Sequence, residues 1–199
     1  MRCRQVTGSQ PPKQRLLSIT AGAVFHDGLE RLDKIREKLA YYPRDVWLYL
    51  LAAQWARISD EEAFVARTGA LGDELGSRII AARLIQSLMK LCFLMEKKYA
   101  PYSKWFGTAF VRLKSAKRVT QVFERVLRAD SWRDRERHLS TAYAIVAKLH
   151  NALGITRPLD ARVSRYYDRP YLVIHSERFA DEIRKSIKDP HLREMRGLI

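Results

Sequence analysis

The segment at residues 74–99 constrains the fold of this chain more than any other part of the sequence. Its residues are mainly apolar, and a narrow polar line is formed by Arg83, Gln86, Lys90 and Lys97 at spacings of three, four and seven. A helix with so narrow a polar face has to be buried between neighbours. The pattern therefore predicts a long helix at the centre of a helical bundle.

Further helical patterns lie on both sides of this segment, separated by proline, glycine and capping residues. They predict helices over about 29–39, 43–67, 105–110, 115–129, 131–154 and 176–188. Asp27, with Glu30 three residues later, and Ser131, with Asp134, have the spacing of helix N-caps. The predicted fold class is all-α, a bundle of six or seven helices with at most one short strand near 171–174.

Length and composition predict one domain, or one domain with a tail, after a disordered leader at residues 1–15. A chain of 199 residues that is 47% hydrophobic can bury a core, and no Gly/Ser or Pro linker divides it. The N-terminus lacks the apolar region of a secretory signal. The longest charge-free apolar stretch, 46–56, is shorter than the roughly 18 residues that span a bilayer. We therefore expect a cytoplasmic protein that does not cross a membrane.

The net charge of +15 favours polyanions or acidic partners. Residues 113–137 alone hold eight basic and four acidic side chains. Five polar residues there follow one helix face at i, i+4, i+7, i+11 and i+14: Lys114, Arg118, Gln121, Arg125 and Arg128. We call this set the basic ridge. It fits weak binding of a polyanion through its phosphates, or alternatively a solvated helix face.

Histidines and cysteines give few signals of catalysis. Arg133, with His138 five residues later, resembles the ribonuclease motif of the HEPN family, in which an arginine is followed by a histidine four to six residues later. Arg169 with His175 satisfies the same loose pattern inside the expected strand. His150 is expected to be buried with its hydrogen bonds satisfied. The sequence contains no zinc-binding cysteine pairs, no HExxH motif and no phosphate-binding P-loop. No metal ligand and no catalytic residue is therefore assigned.

The corner YAPYSKWFGT, at residues 99–108, concentrates aromatic side chains around a proline and a lysine. Because Pro101 disfavours α conformation at the residue before it, the long helix is expected to end near Tyr99. The corner is either aromatic core packing with Lys104 in solvent, or a site where Lys104 and Arg83 face an anionic ligand.

Several longer stretches carry a family resemblance: VFHDG, YYPRDVW, AAQWARISDEEAFV, GDELGSRIIAARL and YAPYSKWFG. With them the chain, from about Leu16 to Leu192, resembles the helical region of a bacterial family, domain of unknown function 4037. The resemblance implies a single helical domain at residues 16–192, followed by a tail at 193–199. The resemblance implies a nucleotidyltransferase-like protein in two parts. An α/β domain would bind the nucleotide with a Gly-Ser turn and hold magnesium with an Asp-x-Asp pair. The helical domain would recognise the acceptor substrate.

This sequence departs from that pattern, because it contains no Asp-x-Asp and its two Gly-Ser pairs, at 8–9 and 76–77, lie in unsuitable contexts. We therefore expect a non-catalytic, substrate-side portion. It would use magnesium and a nucleoside triphosphate only if a nucleotidyltransferase-fold domain or chain were supplied. Lys104, Arg83 and Tyr102 are then the expected phosphate or substrate contacts. Two alternatives stay open: a nucleic-acid-binding module with HEPN-like ribonuclease activity, and an interaction or scaffold protein. Self-association is also expected.

Overall fold

The computed structural model describes residues 13–29 and 31–195, and its elements are mainly helical. The helices are α1 Lys13–Thr20, α2 Leu32–Lys38, α3 Arg44–Ser59, α4 Phe64–Ala70, α5 Glu74–Met95, α6 Ser103–Phe110, α7 Ala116–Arg128, α8 Trp132–Asn151, α9 Glu177–Lys185 and α10 Pro190–Glu194. The strands β1 Ser164–Tyr166 and β2 Arg169–Val173 form one antiparallel hairpin. The prediction of an all-α fold is confirmed.

Some element boundaries differ from the sequence prediction. The expected helix over 43–67 is divided into α3 and α4, and the expected single strand has a partner, β1, which is too short to show a period of two. Helix α1 begins inside the predicted leader, and α10 extends into the predicted tail. Residues 1–12 of the leader, 196–199 of the tail and Glu30 of the predicted capping pair lie outside the described residues.

Helix α5 is the central helix, as its narrow polar face predicted. It packs against α3, α4, α7 and α8, and it buries side chains along its whole length. It ends at Met95, earlier than the predicted Tyr99. Lys97 adopts a left-handed conformation with φ of 51°, and the backbone N–H of Lys98 donates to the carbonyl of Phe93 at 2.9 Å. These features form a Schellman-type helix end, so Pro101 follows the end without causing it.

An aromatic cluster joins α3, α8 and α9. The ring of Trp55 stacks on Phe179 with centroids 4.5 Å apart, and His150 packs edge-on against both rings. Trp55 Nε1 donates to His150 Nδ1 at 3.3 Å, so Nε2 carries the proton and faces Thr156 Oγ1 at 3.3 Å. Burial lowers the pKa of His150 to about 4. The expectation of a buried histidine with satisfied hydrogen bonds is confirmed.

Carboxylates fasten helices to the backbone of other elements. Glu96, just after α5, accepts hydrogen bonds from the backbone N–H groups of Lys114 and Ser115 at 3.0 and 2.7 Å. Asp45 accepts from the backbone N–H of Lys188 at 3.0 Å. Three more carboxylates accept backbone N–H groups in this way: Glu62, Glu74 and Glu136. These bonds hold acidic side chains against the backbone and leave many surface cations without an acidic neighbour.

Helix α2 and the residues before it carry apolar side chains that lie largely in solvent. Asp27 caps this region as expected, since its carboxylate accepts from the backbone N–H of Leu32 at 2.8 Å. Leu29 is 75% exposed and Ile35 is 50% exposed, and the preceding Phe25 is almost wholly in solvent. Among the described helices, none is long and apolar enough to cross a membrane.

Candidate functional site

A cleft of about 520 Å³ lies at the corner that follows α5. It is bounded by α1, by the end of α5, by α6 and by the turn that leads to α7. Its lining residues are Leu17, Phe93, Lys98, Tyr99, Pro101, Trp105, Thr108, Ala109, Arg112 and Leu113. We call this the corner cleft. The aromatic corner seen in the sequence thus forms one wall of an open recess, while its buried residues pack on the core.

The corner cleft combines apolar walls with two cations. Trp105 is half exposed and Tyr99 is buried, with its hydroxyl donating to the carbonyl of Leu39 at 2.9 Å. Lys98 and Arg112 are exposed, and neither forms an ion pair with any described residue. Apolar walls beside unpaired cations suit a ligand that has a flat or apolar body and an anionic group.

The structure places Lys104 and Tyr102 next to this cleft but outside its lining. Lys104 lies in the first turn of α6, with Nζ 5.2 Å from the ring centre of Trp105, which is a cation–π distance. Tyr102 immediately precedes α6 and is about half exposed. Lys104 therefore lies beside the part of the cleft wall that Trp105 forms. The predicted role of Lys104 and Tyr102 in substrate binding stays a prediction.

Arg83 lies apart from the corner. Its guanidinium forms a two-point contact with Glu61, from the NH2 nitrogen to Oε1 at 2.9 Å and from Nε to Oε2 at 3.2 Å. Arg57 binds the same carboxylate at 2.9 Å. Twelve residues of α5 separate Arg83 from Met95, which corresponds to roughly 18 Å of helix. The structure therefore does not bring Arg83 together with Lys104.

The basic ridge lies on the solvent face of α7, as its spacing predicted. Arg118, Gln121, Arg125 and Arg128 are exposed on this helix, and Lys114 is exposed just before it. On the opposite face, the structure buries Val119, Val122, Phe123 and Val126. Leu127 lies at the margin of this apolar face and is 52% exposed.

A polar groove of about 580 Å³ lies between α7 and the start of α8. Its lining residues are Gln121, Glu124, Arg125, Arg128, Ala129, Asp130, Asp134, Arg137 and His138. The groove brings part of the basic ridge together with His138. Two of its arginines are paired at the surface, Arg128 with Glu124 at 3.3 Å and Arg137 with Asp134 at 2.8 Å.

The two candidate ribonuclease pairs are arranged differently. Arg133 and His138 project about 140° apart around α8, because each residue turns a helix by about 100°. The Arg133 guanidinium lies over the ring of Trp132 at 4.5 Å, away from the groove that His138 lines. His175 holds the hairpin, with Nε2 3.0 Å from Ser164 Oγ, while Arg169 is exposed. Neither pair meets within the described part of one chain.

Sequence reasoning did not identify either of the two cations that line the corner cleft, or the part of its wall that α1 forms. Lys98 and Arg112 flank the aromatic corner in the sequence, and their position beside YAPYSKWFGT was the available signal. Leu17 lies about 80 residues away, and no sequence pattern connects it to the corner. Among the described residues, no group of three or more His, Cys, Asp or Glu side chains could hold a metal ion.

Comparisons with known proteins identify one family. No curated protein and no solved structure matches the chain. The sequence model of the family described as Domain of unknown function (DUF4037) matches residues 9–106. That range includes α1 to α5 and the corner as far as Phe106, but ends before Arg112 and the basic ridge. The wider similarity to Leu192 stays a prediction. The chain therefore matches the DUF4037 family over residues 9–106, just under half of its length.

Proposed function

We propose that this chain is the non-catalytic, substrate-side portion of a nucleotidyltransferase-like protein, and that the corner cleft binds its nucleotide or acceptor. A nucleotidyltransferase-fold domain or chain would supply the carboxylates that hold magnesium, as the family resemblance implies. The chain's own contribution would be to bind and orient the organic part of the substrate and to stabilise negative charge next to it.

The observation that carries this proposal is the composition of the corner cleft. Its walls are aromatic and aliphatic, and its cations Lys98 and Arg112 are free of acidic partners among the described residues. A nucleotide has this same division into a flat ring and an anionic group. The ring would lie against Trp105, and stacking on an aromatic side chain stabilises a base by about 1–3 kcal/mol.

The two cations have different chemistry toward a phosphate. Arg112 can donate two parallel hydrogen bonds to phosphate oxygens through its planar guanidinium, whereas Lys98 acts as a point charge. Lys104, held near Trp105, is placed to approach phosphate oxygens that extend beyond the cleft. Arg83 has no part in this arrangement because its guanidinium is engaged by Glu61.

Isothermal titration calorimetry with ATP and magnesium tests the proposal. We expect a dissociation constant below about 1 mM, a loss of at least about tenfold in affinity for Trp105→Ala, and a similar loss for Arg112→Ala. Arg165→Ala is the matched control, because Arg165 is an exposed arginine on β1 and does not line the cleft. It should bind ATP like the unmodified chain.

Inorganic triphosphate gives the second arm of this test. It should bind at least about tenfold more weakly than ATP, because it lacks the ring that the cleft walls would hold. Equal binding of ATP and triphosphate, or equal losses in Arg112→Ala and Arg165→Ala, would show that only the general positive charge attracts these ligands. Either result would overturn the proposal.

A further inference from the structure

We infer that the basic ridge, with the recesses at its two ends, is a binding site for single-stranded nucleic acid. The ridge lies on α7, and its residues do not line the corner cleft. The inference therefore stands apart from the proposed function, and each can fail without the other.

The spacing of the ridge fits a chain of phosphates. Its residues follow each other at intervals of four and three positions, which places side chains about 6 and 4.5 Å apart along the helix axis. Within α7, from Arg118 to Arg128, the ridge is roughly 15 Å long, and Lys114 extends it just before the helix begins. The opposite face of α7 is buried against α5 and α8, so the cationic face stays directed to solvent.

The charges of the ridge are available to a ligand. Arg118 and Arg125 form no ion pair among the described residues, and Glu124 is the one acidic residue of α7. Glu124 binds Arg128 through an exposed pair, in which Arg128 is 80% in solvent. Such surface pairs contribute about 1 kcal/mol or less, so a phosphate can replace the carboxylate.

The acidic residues near the ridge are held by other groups. Asp134 accepts hydrogen bonds from Ser131 Oγ at 2.8 Å and from Arg137 at 2.8 Å. Glu96 is bound to the backbone at the start of α7, and its pKa is lowered by hydrogen bonds from Ser115 and by the nearby Lys114, although its partial burial acts in the opposite direction. Asp130 is exposed in the polar groove and would oppose a phosphate directly, as would Glu124 once a phosphate has replaced its carboxylate on Arg128.

The recesses favour a single strand over a duplex. Beside Lys114 and Arg118, a cleft of about 280 Å³ has an apolar floor that includes Met95, Leu149 and Leu153. At the other end lies the polar groove with His138. An unpaired base can turn into such recesses while its phosphate stays on the ridge, whereas the bases of a duplex are stacked and paired.

Fluorescence anisotropy with labelled dT12 and U12, at potassium chloride concentrations from 50 to 300 mM, measures this binding. Four phosphates neutralised by Lys114, Arg118, Arg125 and Arg128 predict a slope of log K against log salt of about −3, since each contributes about −0.7 for a single strand. A 12-base-pair DNA duplex with the same label should bind at least about fivefold more weakly. Preference for U12 over dT12 would identify RNA as the ligand. Equal binding would mean that the ridge accepts single-stranded RNA and single-stranded DNA alike.

A charge-matched pair of variants decides whether the ridge is the site. Arg118→Ala/Arg125→Ala should reduce the slope to about −1.4 and weaken binding at 0.1 M salt about 25-fold, because each lost contact is worth about fivefold there. Lys34→Ala/Lys38→Ala removes the same charge from exposed lysines of α2 and should leave both quantities unchanged. Circular dichroism would check that both variants are folded.

Two results would overturn the inference. Equal effects of the two double variants would mean that the total charge of the chain attracts the nucleic acid. A duplex that binds as tightly as the single strands would mean that the recesses do not receive bases. Because the ridge variants leave Trp105 and Arg112 intact, ATP titrations of the same proteins report on the corner cleft independently.

Discussion

The contact between α4 and α8 leads to a prediction about one methyl group. Gly69 in α4 faces Trp132, the first residue of α8, so closely that an added Cβ would overlap the Cβ and Cγ atoms of the tryptophan and lie 2.7 Å from Cδ1. The tryptophan cannot easily move, because its backbone N–H donates to Glu74 Oε1 at 3.0 Å. Gly69→Ala therefore forces two helices apart.

The size of this effect follows from two opposing contributions. Overpacking a closely fitted contact costs about 1–3 kcal/mol, and the fixed position of Trp132 favours the upper end. Replacing glycine by alanine inside a helix returns at most about 1 kcal/mol. We expect Gly69→Ala to lower the free energy of unfolding by about 2 kcal/mol, and the midpoint temperature by about 4–8 °C for a chain of this size.

Gly107→Ala is the matched control. Gly107 lies in α6, and an added Cβ there would meet no atom within 4 Å. The same substitution should raise the free energy of unfolding by up to about 1 kcal/mol. Urea denaturation followed by circular dichroism measures both variants. If Gly69→Ala were as stable as Gly107→Ala, the close packing of α4 on α8 would be wrong.

Three further predictions concern buried polar groups. The pKa of His150 is lowered to about 4 in the folded chain. Its contribution to stability is therefore complete above pH 6.5 and falls by about 3 kcal/mol as the pH decreases to 4. The difference in unfolding free energy between the unmodified chain and His150→Gln should shrink over that range, and a constant difference would contradict the assignment. Arg135 is 1% exposed and donates to Ser77 Oγ at 2.7 Å and to the carbonyl of Ala129 at 3.0 Å. Arg135→Met should therefore lower the unfolding free energy by about 3 kcal/mol in urea denaturation. A loss below about 1 kcal/mol would show that these buried hydrogen bonds do not stabilise the fold. Burial raises the pKa of the Cys92 thiol to about 12. In a Cys3→Ser background, iodoacetamide should therefore label Cys92 only after denaturation. Rapid labelling of the folded chain would contradict this prediction, because it would show that the thiol is accessible.

The helical core could be predicted from the sequence because its signals are local and strong. The apolar faces of α5 and α7 repeat at the helical period over 13 or more residues, and the cap of α8 at Ser131 is a short-range pattern. The end of α5 was predicted less accurately, at Tyr99 instead of Met95. It is set by a lysine in left-handed conformation, and residue type gives little indication of such a position when it is not glycine.

Contacts between distant elements were outside the reach of sequence reasoning. The carboxylate of Glu62 accepts backbone N–H groups of Ile174 and Ser176, more than 100 positions away, and burial raises its pKa to about 7. The acidic run SDEEAF lay inside the helix predicted over 43–67, and nothing local in it indicates a buried carboxylate. For the same reason Arg83 was expected at the ligand, because its partner Glu61 belongs to that run and only the fold brings them together.

The candidate site was predicted in part. The aromatic corner and the exposure of the basic ridge follow from local sequence, and both are observed. The shape of the corner cleft depends on how α1 and the turn before α7 pack against α5, so Leu17 and Arg112 could not be assigned to it. Residue type and spacing identified where a site could form, and tertiary packing determined which side chains line it.

Photoaffinity labelling tests the central claim, that the corner cleft binds a nucleotide, most directly. The chain would be irradiated with 8-azido-ATP and magnesium, and the modified peptides would be identified by mass spectrometry. We predict labelling within residues 98–112, centred on Trp105, and protection by excess ATP but not by the same concentration of inorganic triphosphate. Labelling spread over the basic surface, or equal protection by triphosphate, would contradict the claim.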